Sequence, residues 1–232
     1  MIPWLLIDVA QAPGNGEELR LYKRGAEFSI RVGNFELMNS RVHGSEDALA
    51  KLACERISDC PEPRILIGGL GMGYTVAAAL AEIGVKGRVV VAELVPAVVV
   101  WNRGPLAELA GDPLQDDRVA VREIDVARII QTECHAYDAI LLDVDNGPEG
   151  LTRKGNDWLY SLHGLTMALA ALRPGGVLAV WSAAPNQAFT RRLLKVGFKV
   201  DEIRVRARGT AGGAWHTTWI AAASSRIDPE FP

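Results

Sequence analysis

At 232 residues with 49% hydrophobic content, the chain is long enough for one sizeable core and too short for two domains of full size. Its formal net charge is −3 and it has no block of lysine or arginine, which argues against nucleic acid or another polyanion held by charge. Three cysteines, Cys54, Cys60 and Cys134, have spacings that fit neither a zinc site nor a disulfide framework, so a reducing compartment is expected and Cys54 is read as a core residue.

The first residues, Met1 to Asp8, carry no basic group before a short apolar run and no small-residue cleavage site. They do not read as a secretory signal, and no stretch approaches a membrane span, so a cytoplasmic protein without a membrane partner is expected. Residues 1–44 read as a small antiparallel unit with strands Trp4 to Val9, Glu18 to Lys23, Glu27 to Val32 and Phe35 to Met38. Turn signals at Pro13-Gly14-Asn15-Gly16, Gly25 and Gly33-Asn34 separate them. So small a β unit is expected to pack over one end of the main body, and its short edge strands are a candidate homodimer surface. A helix is predicted over Ser45 to Ile57, with Ser45 as its N-cap, stopped by Pro61-Glu62-Pro63.

Residues 45–232 form the predicted main domain, in which strands and helices alternate from Arg64 onward as in a doubly wound sheet. The predicted strands are Arg64 to Gly68, Arg88 to Glu93, Val119 to Glu123, Ala139 to Asp143 and Gly176 to Trp181. The helices between and after them are Thr75 to Ile83, Pro96 to Ala110, Ala127 to Thr132, Leu159 to Leu172 and Asn186 to Val196. Lys199 to Arg206 and Ala214 to Ala221 are expected to close the sheet as an antiparallel pair.

In such sheets ligands sit at the carboxyl ends of the strands, near the point where strand order reverses. The first strand runs into glycines at alternate positions, Gly69, Gly71 and Gly73, interleaved with Leu70 and Met72. Glycine is suited to a turn that needs unusual backbone angles and to main chain on which a ligand lies directly. Glu93, followed by Leu94, closes the next strand, where a carboxylate can accept hydrogen bonds from both hydroxyls of a ribose. Asp125, before Val126, is placed to accept from an adenine amino group, to cap the following helix, or both. Asp143 closes the fourth strand and heads the segment Val144 to Asp157, in which Asp145, Asn146 and Glu149 are candidates for acceptor binding. Trp158 and Tyr160 read equally as walls of an acceptor pocket or as a hydrophobic lid over the sheet edge. Trp101 with Asn102 reads as packing on the sheet, with contact to the adenine as the alternative; the pair Trp215 and Trp219 reads as sheet packing, and the lone His216 as structural or solvated. No His, Cys or carboxylate cluster has metal-ligand spacing, so no metal is expected.

The pattern Gly-x-Gly-x-Gly, with an acid closing the next strand, resembles the class I methyltransferases that bind S-adenosylmethionine. Within that fold, about half the chain resembles the spermidine synthase family. The likeness rests on Ile65 to Thr75 for its glycine motif, Glu93 for its ribose acid and Asp125 for its adenine-side aspartate. Tyr137 to Asp143 resembles its Tyr-Asp-x-Ile-x-x-Asp run, and Leu172 to Gly176 its Leu-x-Pro-Gly-Gly turn. The resemblance implies a Rossmann-like, mostly parallel α/β sheet whose last strand is antiparallel, with a small N-terminal β-hairpin unit. It also implies that Asp143 helps deprotonate an amine, whose lone pair then attacks the carbon beside a sulfonium.

The chain departs from that family where charge is expected. Met72 stands in place of an aspartate that holds the amine of decarboxylated S-adenosylmethionine, and Asn146 in place of a second loop aspartate. His43 to Asp47 corresponds only loosely to an acidic, tyrosine-bearing segment. Losing such partners is expected to change the ligand, since an uncompensated buried cation costs several kcal/mol, on the order of the penalty for any unpaired buried ion. The reading this favours is methyl transfer from S-adenosylmethionine to a small amine-like acceptor. Aminopropyl transfer from decarboxylated S-adenosylmethionine is the alternative, and a non-catalytic nucleotide-binding relative is the reading of another class. A nicotinamide oxidoreductase would call for Gly-x-Gly-x-x-Gly, which is absent here.

Overall fold

A computed structural model of the chain describes residues 2–13, 18–144, 148 and 158–223. The early alternation of apolar and polar residues folds into a four-stranded antiparallel meander. Its strands are β1 (Leu5–Gln11), β2 (Glu18–Arg24), β3 (Glu27–Val32) and β4 (Phe35–Asn39). Leu19, Leu21, Phe28 and Ile30 are buried, whereas Leu5, Leu6, Ile7 and Val9 of the edge strand β1 are exposed. Helix α1 (Gly44–Arg56) follows.

The alternating part supplies β5 (Arg64–Gly68), α2 (Tyr74–Glu82), β6 (Arg88–Ala92), α3 (Pro96–Asn102), β7 (Val119–Arg122) and α4 (Val126–Thr132). It continues with β8 (Tyr137–Leu142), α5 (Leu162–Ala171), β9 (Leu172–Ser182), α6 (Gln187–Val196), β10 (Lys199–Arg206) and β11 (Trp215–Ala222). These strands form a seven-stranded sheet in the order β10-β11-β9-β8-β5-β6-β7. Pairing is parallel from β7 through β9, and β11 runs antiparallel to both of its neighbours, β9 and β10. The antiparallel pair expected from sequence is present, with the last strand inserted inside the sheet and β10 at the edge.

The central strands are apolar on both faces because helices cover both. Ile65 and Ile67 of β5, with Ala139 and Leu141 of β8, pack toward residues of α1, α2 and α3 such as Leu49, Val76 and Val98. The intervening Leu66, Ile140 and Leu142 pack toward Ile129 of α4, Leu165 of α5 and Phe189 of α6. Leu19, Leu21, Phe28 and Ile30 of the meander belong to the first of these clusters, so both sheets share one continuous core.

Three local expectations are corrected. The helix predicted over Pro96 to Ala110 ends at Asn102 and is followed by short 3-10 turns at Ala107–Ala110 and Pro113–Gln115. Gly104 and Pro105 interrupt the helical run, because proline disfavours helix at the residue before it. Ser45 is not the N-cap of α1: that position belongs to His43, without a side-chain hydrogen bond. The Ser45 hydroxyl donates instead to Glu46 Oε2 at 2.7 Å and meets His216 Nδ1 at 2.9 Å. Of the two tryptophans in β11, only Trp219 is a core residue, with its indole N–H donating to Thr190 Oγ1 at 2.8 Å. Trp215 is exposed, and the Arg206 guanidinium sits 3.8 Å from its ring centroid, a cation–π contact at the surface.

Candidate active site

Four adjacent strands, β7, β6, β5 and β8, present their carboxyl ends at one edge of the sheet. Backbone hydrogen bonds hold these ends in register: Asp143 N–H donates to Gly68 O at 3.0 Å, Gly69 N–H to Ala92 O at 2.9 Å, and Glu93 N–H to Arg122 O at 3.0 Å. The strand order reverses between β5 and β8, which puts Gly69 against Asp143. A Cβ on Gly69, whose φ is +89°, would run into the Asp143 carbonyl oxygen.

Glu93 is buried and does more than close its strand. Its Oε2 accepts from Leu70 N–H at 2.9 Å and its Oε1 from Val95 N–H at 2.8 Å, so one carboxylate ties the glycine turn to the chain entering α3. Asn102 holds the turn from the other side, donating from Nδ2 to Gly71 O at 2.8 Å. Gly73, in the left-handed region at φ +83°, lets the chain leave the turn into α2.

These elements enclose a chamber of about 150 Å³. Gly69, Gly71, Glu93, Leu94, Asp125, Val126 and Asp143 line its floor, and Leu19, Ile30, Val32, Leu37 and Met38 of the meander roof it. Met38 lies so near Gly71 that a Cβ there would come within 3.2 Å of its sulfur. The small β unit therefore packs over the carboxyl end of the sheet, as its size suggested. Asp125 caps α4, accepting from Ala127 N–H at 2.8 Å, and its carboxylate also lines the chamber.

A second chamber, of about 110 Å³, adjoins the first through Leu37, Met38, Gly71 and Asp143, which line both. Its other walls are Glu46, Leu70, Met72, Tyr74, Thr75, Asn39 and Trp181. Asp143 Oδ2 accepts from Thr75 Oγ1 at 2.7 Å. Enclosure by protein raises the Asp143 pKa above the usual carboxylate value, against the lowering effect of that hydrogen bond. Glu46 is pushed up to about 7, first by loss of solvent and then by the nearby Asp143 charge. His216 is held below its usual value by burial and lies beside the Ser45 hydroxyl.

Of the remaining sequence candidates, Trp158 and Tyr160 lie in the apolar cluster under α5 and α6 and line neither chamber. Tyr160 is buried, with its hydroxyl donating to Val144 O at 3.3 Å just beyond Asp143. Asp145, Asn146 and Glu149 lie outside the described residues. Trp101 is buried, and its indole N–H donates to Asp8 Oδ2 at 2.7 Å, joining α3 to β1. Of the other residues at the site, Thr75 closes the glycine motif, Glu46 lies in the loosely matching segment His43 to Asp47, and Asn102, weighed with Trp101 as an adenine contact, holds the glycine turn; Met38 is brought there by tertiary contact, and no local motif marks it. Among the described residues no group of three or more His, Cys, Asp or Glu side chains could hold a metal ion, and no helix is long and apolar enough to cross a membrane.

A mostly parallel sheet with one inserted antiparallel strand, a glycine turn at the reversal of strand order and an acid closing the next strand define a Rossmann-like fold of the methyltransferase class. Known proteins narrow that class. No family model matches the chain. Over 166 residues it is 28% identical to a polyamine aminopropyltransferase of Oceanobacillus iheyensis, a stretch that is 68% of this chain and 31% of that protein. In fold it matches the spermidine synthase of Thermotoga maritima with a TM-score of 0.74 at 16% identity, covering 97% of this chain and 74% of that one. A spermidine synthase in complex with the transition-state analogue AdoDATO superposes equally broadly, with a TM-score of 0.73 at 16% identity and the same coverage of both chains. A putative O-methyltransferase from Klebsiella pneumoniae has the same core fold, with a TM-score of 0.53 at 21% identity, covering 78% of this chain and 80% of that one. The chain is thus spermidine synthase-like in sequence and in fold, and it spans about a third of the curated relative it matches.

Proposed function

We propose that the chain is a transferase that moves an aminopropyl group from decarboxylated S-adenosylmethionine to a small amine. The observation that carries this reading is the place of Asp143, at the junction of the chamber lined by the glycine turn and Glu93 and a second chamber that also holds Glu46. The likeness to a polyamine aminopropyltransferase supports aminopropyl transfer over the methyl transfer favoured by Met72 alone; methyl transfer gains no support from the relatives.

In this reading Glu93 and the main chain of Gly69 to Gly71 hold the ribose side of the donor, and Asp125 with Val126 the adenine side. The acceptor nitrogen attacks the propyl carbon beside the sulfonium, the carbon–sulfur bond breaks, and the electron pair stays on sulfur as methylthioadenosine leaves. Asp143 accepts the proton that the attacking nitrogen releases. A base whose proton affinity is raised by enclosure is better matched to that task than an ordinary carboxylate. Thr75 fixes the carboxylate by its hydrogen bond.

The test is chromatographic release of methylthioadenosine from the decarboxylated donor with a series of short diamines. Release that depends on the diamine is the expected result. Methylated amine formed from S-adenosylmethionine, with no methylthioadenosine from the decarboxylated donor, would overturn aminopropyl transfer.

A further inference from the structure

The second chamber contains a charge that the nucleoside side of the site does not use. Glu46 stands in the first turn of α1 and faces the same space as Asp143 and Met72. It makes no ion pair with a described lysine, arginine or histidine. Its carboxylate is held by the Ser45 hydroxyl, whose oxygen in turn meets His216 Nδ1, and the His216 ring lies edge-on to Trp181, with centroids 4.9 Å apart. The carboxylate is therefore set by contacts from α1, β9 and β11. Trp181 also lines the chamber, and its indole N–H is buried without a hydrogen-bond partner.

Two carboxylates in one partly enclosed chamber repel each other, and a cation entering between them relieves both. The aromatic wall favours a cation too. Met72, which projects into the same chamber from the glycine turn, brings no charge.

We propose that Glu46 is the specificity-determining residue for the donor: it receives the ammonium at the end of the aminopropyl chain and so supplies from α1 the anion that Met72 does not. This rests on the reading of the chain as an aminopropyltransferase. S-adenosylmethionine itself would bring a third carboxylate toward Glu46 and Asp143, so the same residue selects against it.

The experiment is calorimetric titration of wild type and E46Q with three nucleosides, in the absence of any acceptor: decarboxylated S-adenosylmethionine, S-adenosylmethionine and methylthioadenosine. Wild type is expected to prefer the decarboxylated donor over the carboxylated one by about tenfold or more, and E46Q to lose most of that preference by weakening toward the decarboxylated donor. Methylthioadenosine, which has no ammonium, should bind both proteins alike and report that E46Q keeps its nucleoside chamber. If methylthioadenosine binds both proteins and the decarboxylated donor also binds both equally, the role of Glu46 is overturned while the nucleoside reading survives. If E46Q keeps its donor affinity and, in the separate assay of methylthioadenosine release, raises KM for a diamine, the carboxylate serves the acceptor and the donor assignment is overturned. If methylthioadenosine fails to bind wild type, the transferase reading falls, and the role of Glu46 with it.

Discussion

Replacing Glu46 by glutamine should stabilise the ligand-free protein, and by an amount that depends on pH. In the fold its carboxyl is pushed from 4.5 to about 7, with loss of solvent as the larger cause and Asp143 as the next. Asp47 acts in the same direction, the Ser45 hydroxyl opposes it, and the Tyr74 phenol stands across the same chamber. A folded-state pKa above the unfolded value means that the stability tied to the protonated form is fully present below about 4.5. It is lost as the pH rises through about 7. At roughly 1.4 kcal/mol for each tenfold change in proton affinity, the loss amounts to about 3 kcal/mol by pH 8. Glutamine keeps the shape and carries no charge, so E46Q should be more stable than wild type by about that amount at pH 8. The advantage should shrink to almost nothing near pH 4.5. For a chain of this size the difference at pH 8 corresponds to roughly 6–12 °C in Tm, readable by thermal unfolding followed by circular dichroism across the pH range. A Tm difference that is the same at both ends of the range, or an E46Q less stable than wild type at pH 8, would refute the reasoning.

Three other substitutions separate roles within the site. Asp143→Asn should lower turnover by about 10²- to 10⁴-fold while leaving the affinity for methylthioadenosine within a few-fold of wild type; unchanged turnover would point to another base. Glu93→Ala leaves the Leu70 and Val95 amides without their acceptor, at about 1–3 kcal/mol each. It should therefore both reduce urea stability and weaken nucleoside binding, and a variant that binds as wild type does would remove Glu93 from the site. Asp125→Ala should cost about 1 kcal/mol through the lost cap of α4, whereas Asp125→Ser should restore that stability without restoring any contact to adenine. Equal nucleoside affinity in the wild type, Ala and Ser proteins would reduce Asp125 to a cap.

The main sheet was legible because its strands are short apolar runs closed by glycine or an acid, and the chemistry of the closing residue is what a strand end exposes. Asp143 and Glu93 could be placed on those grounds alone, since each follows a run buried on both faces. Contacts between distant segments could not be read. Ser45 has the composition of a cap, yet its hydroxyl is engaged by its neighbour Glu46 and by His216, far away in sequence. Glu46 lies in the segment His43 to Asp47, whose likeness to an acidic family segment is too loose to single it out, and only the packing of α1 beside β8 brings it to the site. Trp215 and Trp219 share the periodicity of one strand face, and only the position of β11 in the sheet decides that one is core and the other surface. The end of α3 was a local error, since Gly104 and Pro105 were present to be weighed. Asp145, Asn146 and Glu149 fall outside the described residues.

The insertion of β11 between β9 and β10 has a consequence for synthesis of the protein. A nascent chain emerges in order, and β10 appears before β11, the one strand it pairs with among the described residues. Until β11 has left the ribosome, β10 has no ladder to join, and β9 presents an open edge where the sheet will later continue. His216, the residue that meets Ser45 beside Glu46, arrives on that same late strand. A growing polypeptide can thus complete the strand ends that floor the first chamber, from β5 to β8, before it can complete the surroundings of Glu46. Translation itself sets the order in which the two halves of the site come into being.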